Sequence, residues 1–357
     1  MIQRENFHTF DALRFFSFSL VFISHLPYTL FPKFNYIKTR GDIGVCFFFT
    51  LSGFLITYIL LLEKKSTNTF DFKKYIKRRA LRIWPLYYII LLFTFLSPII
   101  ISLIGLNSTS VGYNPNWLLS CLFLENYMVM FHNDFGNISP LPVLWSLCIE
   151  EHFYLIWGII LYFSKMEKIL FWSFLIIIIS SLSRSLFYIN NILFKDILTN
   201  FDYFMYGAIP AYLYVNYKNK TLLIIDRISD SIKIIIILIT IIVVVSFSHF
   251  DFQLKQIIEP YIFGVLFSCI IFIVIPKNNK FKISDSNIVS KLGIYTYGLY
   301  IFHTITINLF MKIYIKLNLH LSETYLFIFI TGSSLLTVIF TSIISYHLFE
   351  KKFLKLK

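Results

Sequence analysis

Ten apolar segments, each about as long as a membrane-crossing helix, recur along the chain. A helix rises about 1.5 Å per residue, so roughly 20 apolar residues cover the roughly 30 Å hydrocarbon core of a bilayer. The segments are 10–30, 43–62, 83–104, 143–163, 169–188, 198–216, 232–248, 257–276, 292–312 and 324–348. They predict an all-α integral membrane protein with about ten transmembrane helices in one bundle. A shorter apolar segment, 117–131, is expected to be re-entrant or to lie in the interface.

The composition agrees with a membrane protein. Of the 357 residues, 57% are hydrophobic and only 14% are charged, whereas soluble domains carry about 25% charged residues. The apolar segments leave no stretch that resembles a soluble module, so one membrane domain over 1–357 is expected, with no fused soluble domain. Four cysteines without a CxxC or short Cys/His spacing indicate neither a zinc site nor a disulfide framework, and no metal is expected.

The net charge of +13 is distributed in a way that argues against nucleic-acid binding. Lys and Arg lie mainly between the apolar segments. With ten spans, 24 of the 32 fall on the side that holds both termini. Because cytoplasmic loops are enriched in Lys and Arg, both termini are predicted to be cytoplasmic. The chain is expected to contact membrane lipids and no nucleic acid.

The first apolar segment carries two ionisable residues, Arg14 and His25. On an α-helix, the separation between them makes three turns plus about 20°, so both side chains are predicted to share one face, about 16 Å apart along the axis. Ionisable residues within a membrane are costly and usually face a pathway or cavity. The pair is therefore a candidate functional site, with the arginine near one membrane surface and the imidazole deeper.

Two arginines four residues apart, Arg78 and Arg82, occur in the basic segment before the third span. They share a helix face if that helix begins before them, and two guanidiniums at this spacing can hold a phosphate group bidentately. The alternative is a basic cluster that binds anionic lipid head groups. The spacing alone is compatible with both roles.

The fourth span begins with a cluster of polar residues. Ser146, Glu150 and Tyr154 recur every four residues and therefore share one helix face. A carboxylate entering a membrane is costly unless it is paired or hydrated. This face is a second candidate for a functional site, and a charge at the membrane interface is the alternative.

Two further spans contain polar residues with two possible roles each. Ser52 precedes Gly53, which indicates either close helix packing or a cavity wall where the backbone meets a ligand. His303 lies inside the ninth span and is either a hydrogen-bonded structural residue or part of the site.

These motifs, in this order, resemble those of the acyltransferase-3 family of membrane acyltransferases, which includes many bacterial polysaccharide O-acetyltransferases. The resemblance covers nearly the whole chain and rests on 10–14 with His25, 44–45, 48–55, Arg78 and Arg82 with Pro85, 145–154, 292–303 and 349–353. Cys46 stands where many members have Asp after the Gly-Val pair, so no role of that carboxylate is carried over. The closing motif also departs from the family pattern.

The resemblance implies an enzyme that uses an acyl donor, usually acetyl-CoA, on the cytoplasmic side and a sugar hydroxyl as acceptor. It implies that Arg14, Arg78 and Arg82 bind the CoA phosphates rather than lipid. The acceptor is expected to be a cell-surface carbohydrate or its glycolipid precursor. The expected location is the cytoplasmic membrane of a bacterium, with several passes through it.

Acyl transfer from a thioester needs a base for the attacking hydroxyl and a donor for the oxyanion. His25 is the predicted base, since an imidazole held neutral by burial accepts a proton near pH 7. Glu150 is predicted to orient His25 or to stabilise its imidazolium form. Three hydroxyl residues are candidates for binding the acceptor or for supporting the oxyanion: Ser52, Ser146 and Tyr154. His303 is a further candidate for binding the acceptor.

A secondary transporter or flippase for a lipid-linked sugar is the alternative function, with Arg14 and Glu150 as a charge relay. Such proteins usually show inverted repeats and broken helices in both halves, and the sequence shows neither. Consumption of acyl-CoA by the purified protein separates the two classes, because a transporter consumes none.

Overall fold

A computed structural model describes residues 5–38, 40–103, 112–247, 250, 254–277 and 279–356. Helices dominate this part of the chain, and its β contacts are confined to an isolated bridge between Tyr113 and Gly136. The helices are α1 Thr9–Ser24, α2 Gly41–Thr67, α3 Phe72–Leu103, α4 Trp117–Cys121, α5 Glu125–His132, α6 Leu141–Phe163, α7 Ile169–Ile189, α8 Ile197–Asn216, α9 Lys218–Arg227, α10 Asp230–Ser246, α11 Lys255–Val274, α12 Ile288–Gly293, α13 Thr296–Lys316, α14 Glu323–Ser345 and α15 Lys351–Leu354. The predicted all-α class is confirmed.

A helix is present at each of the ten predicted spans, but not all are long and apolar enough to cross a membrane. Among the described residues, seven stretches qualify by length and hydropathy: Pro32–Thr67, Phe72–Ile100, Leu141–Phe163, Met166–Ile189, Lys255–Val274, Thr296–Lys316 and Glu323–Leu354. There are eight if α9 and α10, which are bent by 90°, form one span. These helices support a multi-pass membrane protein, whereas the count of ten is not confirmed and the cytoplasmic termini stay a prediction.

The first predicted span, 10–30, is wrong at its carboxyl end. The helix α1 has 16 residues and ends at Ser24, which gives a length of about 24 Å, less than a hydrocarbon core. Pro27 follows shortly after, and a residue that precedes proline avoids helical angles, so the chain continues in short 3₁₀ turns. His25 therefore lies just past the α-helix, and the prediction that it lies within the first helix is wrong.

The short apolar segment 117–131 forms two short helices, Trp117–Cys121 and Glu125–His132. The Asn116 side chain caps the first by accepting hydrogen bonds from two backbone N–H groups. Neither helix approaches the length that crosses a bilayer. Its exclusion from the predicted spans is therefore correct.

The chain divides into two compact units. The first unit comprises Met1–Ser17, Asp42–Ile76 and Ile149–Gly293, and the second comprises Phe18–Gly41, Lys77–Cys148 and Ile294–Lys357. Each unit is thus assembled from segments that are distant in sequence. The single membrane domain over 1–357 stays a prediction.

In the first unit, α2 and α8 cross at two glycines. A Cβ on Gly53 would lie 2.0 Å from the Phe204 carbonyl oxygen, and a Cβ on Gly207 would lie 1.9 Å from the Thr50 carbonyl oxygen. Each helix presents a glycine to the backbone of the other, as membrane helices do where they approach closely. The prediction that Gly53 marks close packing is confirmed, and the crossing holds Ser52 in place.

Two consecutive lysines near the end of α2 donate hydrogen bonds to backbone carbonyl groups at the carboxyl ends of two other helices of the first unit. Lys64 donates from Nζ to the carbonyl oxygens of Leu161 at 2.6 Å and Ser164 at 2.5 Å, at the carboxyl end of α6. Lys65 donates to the carbonyl oxygen of Val215 in α8 at 2.6 Å. Cations at this end of a helix satisfy unpaired carbonyl groups and complement the helix dipole. The two ammonium groups therefore tie α2 to α6 and α8.

In the second unit, tyrosine hydroxyl groups of α13 bond to backbone carbonyl oxygens of other helices. Tyr297 donates to Ile83 of α3 at 2.6 Å, and Tyr300 donates to Val143 at the start of α6 at 3.0 Å. A buried hydroxyl is costly without a partner, so these bonds fix α13 against both helices. They place α13, which also carries His303, beside the first turns of α6.

Candidate active site

Glu150 is the centre of a hydrogen-bonded group in the first unit. The Ser52 hydroxyl donates to its Oε1 at 2.6 Å, and the Tyr154 hydroxyl donates to the same oxygen. Tyr154 is held in turn, because Tyr75 donates to its carbonyl oxygen at 2.9 Å. Three predicted site residues are therefore brought together: Ser52, Glu150 and Tyr154.

This arrangement limits what the two hydroxyl groups can do. A serine or tyrosine hydroxyl has one proton to donate, and both Ser52 and Tyr154 direct it to Glu150. The lone pairs of the Ser52 oxygen and the remaining lone pairs of the carboxylate can accept. The group is thus suited to accept hydrogen bonds from hydroxyl groups of a substrate rather than to stabilise an oxyanion.

His25 and His303 lie together in the second unit. Their ring centroids are 4.9 Å apart and their planes cross at 75°. The His303 side chain is completely buried in α13, whereas His25 remains accessible. Two histidines from opposite ends of the chain therefore form one group, a contact that the sequence did not indicate.

Backbone carbonyl groups fix which ring nitrogen of each histidine carries the proton. Nδ1 of His25 lies 2.8 Å from the Val21 carbonyl oxygen, and Nδ1 of His303 lies 2.5 Å from the Tyr300 carbonyl oxygen. A carbonyl oxygen can only accept, so each Nδ1 is the protonated nitrogen and each Nε2 is the basic one in the neutral ring. Nε2 of His303 is buried and has no hydrogen-bond partner among the described residues.

The protein around His25 keeps its imidazole neutral near pH 7. His25 lies outside the candidate spans. Although the His25 side chain stays accessible at the surface, the protein atoms around the ring desolvate it and lower its pKa. The hydrogen bond to the Val21 carbonyl group opposes this with a smaller effect, so the pKa is below its ordinary value. Because that value is about 6.5, the ring is a base rather than a cation at neutral pH.

Ser146 joins the second unit's site through a tyrosine that the sequence analysis missed. Its hydroxyl oxygen lies 2.5 Å from the hydroxyl oxygen of Tyr300, and both side chains are buried. Tyr300 also supplies the carbonyl oxygen that holds His303. It precedes His303 by three residues and so shares its helix face, which is the signal that could have identified it.

Arg14 lies in the first unit and forms an ion pair with Asp11, one turn earlier on α1. The Asp11 carboxylate offsets part of the arginine charge. The guanidinium group is partly accessible, with 22% of the side chain exposed. A role for Arg14 in binding CoA phosphates stays a prediction, now with a competing anion beside it.

Arg78 and Arg82 lie in the second unit on α3, which begins at Phe72. The condition for their sharing a helix face is therefore met. Arg82 is exposed and Arg78 is partly exposed. Glu350, in the turn that follows α14, interacts electrostatically with Arg82. The two guanidinium groups can hold a phosphate, with Glu350 as an internal competitor.

Among the predicted site residues, those that could hold an anionic group are Arg14 in the first unit and, separately, Arg78 and Arg82 in the second unit. In the described part of the chain, no group of three His, Cys, Asp or Glu side chains is arranged to hold a metal ion. The predicted contact between Glu150 and His25 stays a prediction.

Comparison with known proteins relates the chain to membrane acyltransferases, as its sequence motifs indicate. The chain matches a family profile described as "Acyltransferase domain" over residues 7–346. It is 34% identical over 172 residues to the peptidoglycan O-acetyltransferase OatA of Listeria monocytogenes, covering 46% of this chain and 26% of that protein. It is 33% identical over 159 residues to the O-acetyltransferase OatA of Staphylococcus aureus, covering 43% and 24%. The matched region thus spans about a quarter of each relative. No solved structure matches the chain.

The apolar helices and the polar groups between them define a multi-pass helical membrane protein. The family profile covers nearly the whole chain, so the protein belongs to the acyltransferase-3 family and carries its acyltransferase domain. The resemblance predicted from the ordered motifs is confirmed.

Proposed function

We propose that this protein is a membrane O-acetyltransferase. It transfers an acyl group, in the simplest case acetyl, from cytoplasmic acyl-CoA to a hydroxyl of a cell-surface carbohydrate or its lipid-linked precursor. Membership of the family and relatives named as O-acetyltransferases support this reaction class. The observation that carries the proposal is the neutral His25, whose Nδ1–H is bound to a carbonyl oxygen and whose Nε2 is left as a base. The proposed location is a bacterial cytoplasmic membrane.

In the proposed reaction, Nε2 of His25 takes the proton of the acceptor hydroxyl while the hydroxyl oxygen attacks the thioester carbonyl carbon. The carbonyl electron pair moves onto oxygen and forms a tetrahedral intermediate. When it collapses, the C=O bond reforms and the C–S bond breaks. The imidazolium returns its proton to the departing thiolate, so His25 ends neutral. General acid–base catalysis of this kind contributes about 10²–10⁴-fold.

His303 supports this step as a second hydrogen-bond acceptor. Its buried Nε2 is free to accept from a neighbouring hydroxyl of the carbohydrate or from a water molecule next to His25. Two imidazoles at a centroid distance of 4.9 Å disfavour a double positive charge, because like charges raise the cost of ionisation. The pair therefore carries at most one positive charge at a time.

The group around Glu150 is proposed to bind hydroxyl groups of the carbohydrate. Ser52 and Tyr154 donate to the carboxylate, and the carboxylate and the Ser52 oxygen offer lone pairs to acceptor hydroxyls. A sugar offers several hydroxyl donors, which match a site composed of acceptors. A direct role of Glu150 beside the catalytic base remains a proposal.

The test of the reaction is acetyl-CoA consumption by the purified chain in lipid vesicles with soluble peptidoglycan fragments as acceptor. We expect release of free CoA thiol together with acceptor that has gained the mass of an acetyl ester. Vesicles without protein and reactions with CoA in place of acetyl-CoA are the controls. Movement of a lipid-linked sugar across the vesicle membrane without thiol release would favour the transporter instead.

Replacing Arg82 with alanine is expected to raise the KM for acetyl-CoA about fivefold to tenfold, with a smaller change in kcat. The expected loss of binding free energy for acetyl-CoA corresponds to one charge-assisted hydrogen bond to a phosphate at an exposed site. Lys77→Ala is the matched control, because it removes one exposed positive charge from the same helix. Equal KM values for the two variants would show that the arginine acts only through general charge, as a lipid anchor does.

A further inference from the structure

A recess of about 400 Å³ lies in the first unit among α9, α10 and α11, and no residue placed in the reaction lines it. Its walls are mainly apolar and include Ile225, Ile236 and Phe272. The recess also contains polar groups, the ammonium groups of Lys220 and Lys233 and the thiol of Cys269. It therefore combines an apolar interior with positive charge.

Lys233 is unusual among the residues that line the recess because it is a lysine with little exposed surface. Its side chain is 6% exposed, and it makes no hydrogen bond to any residue in the described ranges. The residue is packed, but its Nζ is not among the unpaired atoms that the protein seals off, so an anion that enters the recess can reach the ammonium group. Asp230 attracts it electrostatically, but Nζ of Lys280 already lies 2.6 Å from that carboxylate. With Lys220 at the rim, positive charge exceeds negative charge around the recess.

The recess lies at the ends of two apolar helices, the first turn of α10 and the last turns of α11. Lys233 is in the first turn of α10, and Cys269 and Phe272 are near the last turn of α11. The helix α9 runs at 90° to α10 and combines lysines with exposed apolar side chains such as Leu223. A basic amphipathic helix perpendicular to a spanning helix is typical of the membrane interface.

We propose that this recess binds one anionic membrane phospholipid. An acyl chain occupies the apolar interior, and the phosphate group contacts the ammonium groups of Lys233 and Lys220. Charge complementarity favours an anionic head group, and the anionic surface of the cytoplasmic leaflet supplies such lipids. The exposed apolar residues of α9 leave the recess open to the bilayer, so a lipid can enter sideways.

The first test is native mass spectrometry of the full chain after exchange into detergent with phosphatidylglycerol or phosphatidylcholine. We expect a retained phosphatidylglycerol adduct and little phosphatidylcholine. Lys233→Gln should lower the retained fraction about fivefold, the effect of one basic residue near a membrane surface. Lys233→Arg should keep the adduct, and the exposed Lys291→Gln is the matched control. Equal retention of both lipids by the unaltered chain would overturn the proposal.

The second test uses the thiol inside the recess and needs no charge variant. Cys46 and Cys148 are buried, so Cys121→Ser leaves Cys269 as the accessible thiol. Maleimide labelling of Cys269 should be slower in phosphatidylglycerol vesicles than in phosphatidylcholine vesicles. Equal rates, or protection by palmitoyl-CoA but not by phosphatidylglycerol, would overturn the proposal. Neither measurement depends on the acyltransferase reaction.

Discussion

Replacing His25 with alanine is expected to lower acetyl transfer by about 10²–10⁴-fold, the range that a general base contributes. The loss should appear in kcat rather than in the KM for acetyl-CoA, because His25 contacts the reacting hydroxyl and not the CoA phosphates. His25→Gln should lose as much, since an amide can form hydrogen bonds but cannot accept a proton near pH 7. The measurement is release of CoA thiol by the purified variants in vesicles.

The matched control for His25 is His320→Ala, which removes an exposed histidine between α13 and α14. That variant should keep the activity of the unaltered protein. All variants should be compared by size-exclusion profile, so that a loss of activity is separated from a loss of folded protein. If His25→Ala kept more than a tenth of the activity, the base would have to be another residue.

The pH dependence gives a second readout of the same residue. Burial lowers the pKa of His25, with a smaller opposing effect from the Val21 carbonyl group. The base is active when neutral, so kcat/KM should be flat at neutral pH and should fall only in acid, with an inflection below about 6.5.

The positions of the helices could be predicted from the sequence because apolar runs mark them directly. Their ends could not. Pro27 stops α1 well before the apolar run ends, and α3 begins well before its apolar run, within the basic segment that carries Arg78. Hydropathy reports which residues avoid water, whereas a helix end depends on backbone restrictions and capping.

Side-chain contacts between residues of one helix could be predicted from the sequence. Glu150 and Tyr154 are four residues apart and do meet, and Asp11 precedes Arg14 by one turn. Contacts between different helices could not be predicted, because periodicity carries no information on which helices pack together. The contact of His25 with His303 is an example of this kind.

Arg184 shows how a charge count can mislead about a single residue. Arg184 lies near the end of the fifth predicted span and is one of the 8 basic residues that the ten-span count places on the side opposite the termini. The structure buries it completely beside Asp202, with side chains that are 1% and 0% exposed. The arginine therefore acts within the first unit and gives little information on orientation. The asymmetry of the remaining basic residues depends on the count of ten spans and stays a prediction.

Asp202→Ala is expected to destabilise the protein by about 3–5 kcal/mol, because it leaves the Arg184 charge buried without its partner. The two guanidinium NH groups bond to the two carboxylate oxygens at 3.0 and 2.6 Å, and the arginine also donates to the Thr199 carbonyl oxygen at 2.8 Å. The melting temperature of the detergent-purified chain should fall by about 5–10 °C. The exposed Asp226→Ala should shift it little.

The double variant Arg184→Met with Asp202→Leu distinguishes a broken ion pair from a general packing defect. Replacing a buried pair by apolar side chains of similar volume is often neutral or stabilising, so the double variant should melt close to the unaltered protein and above Asp202→Ala. Since Arg184 and Asp202 bond across α7 and α8, recovery would show that the pair is dispensable as a charge and that its unpaired half causes the damage. A double variant that melts as low as Asp202→Ala would instead mean that the two helices depend on the hydrogen bonds themselves.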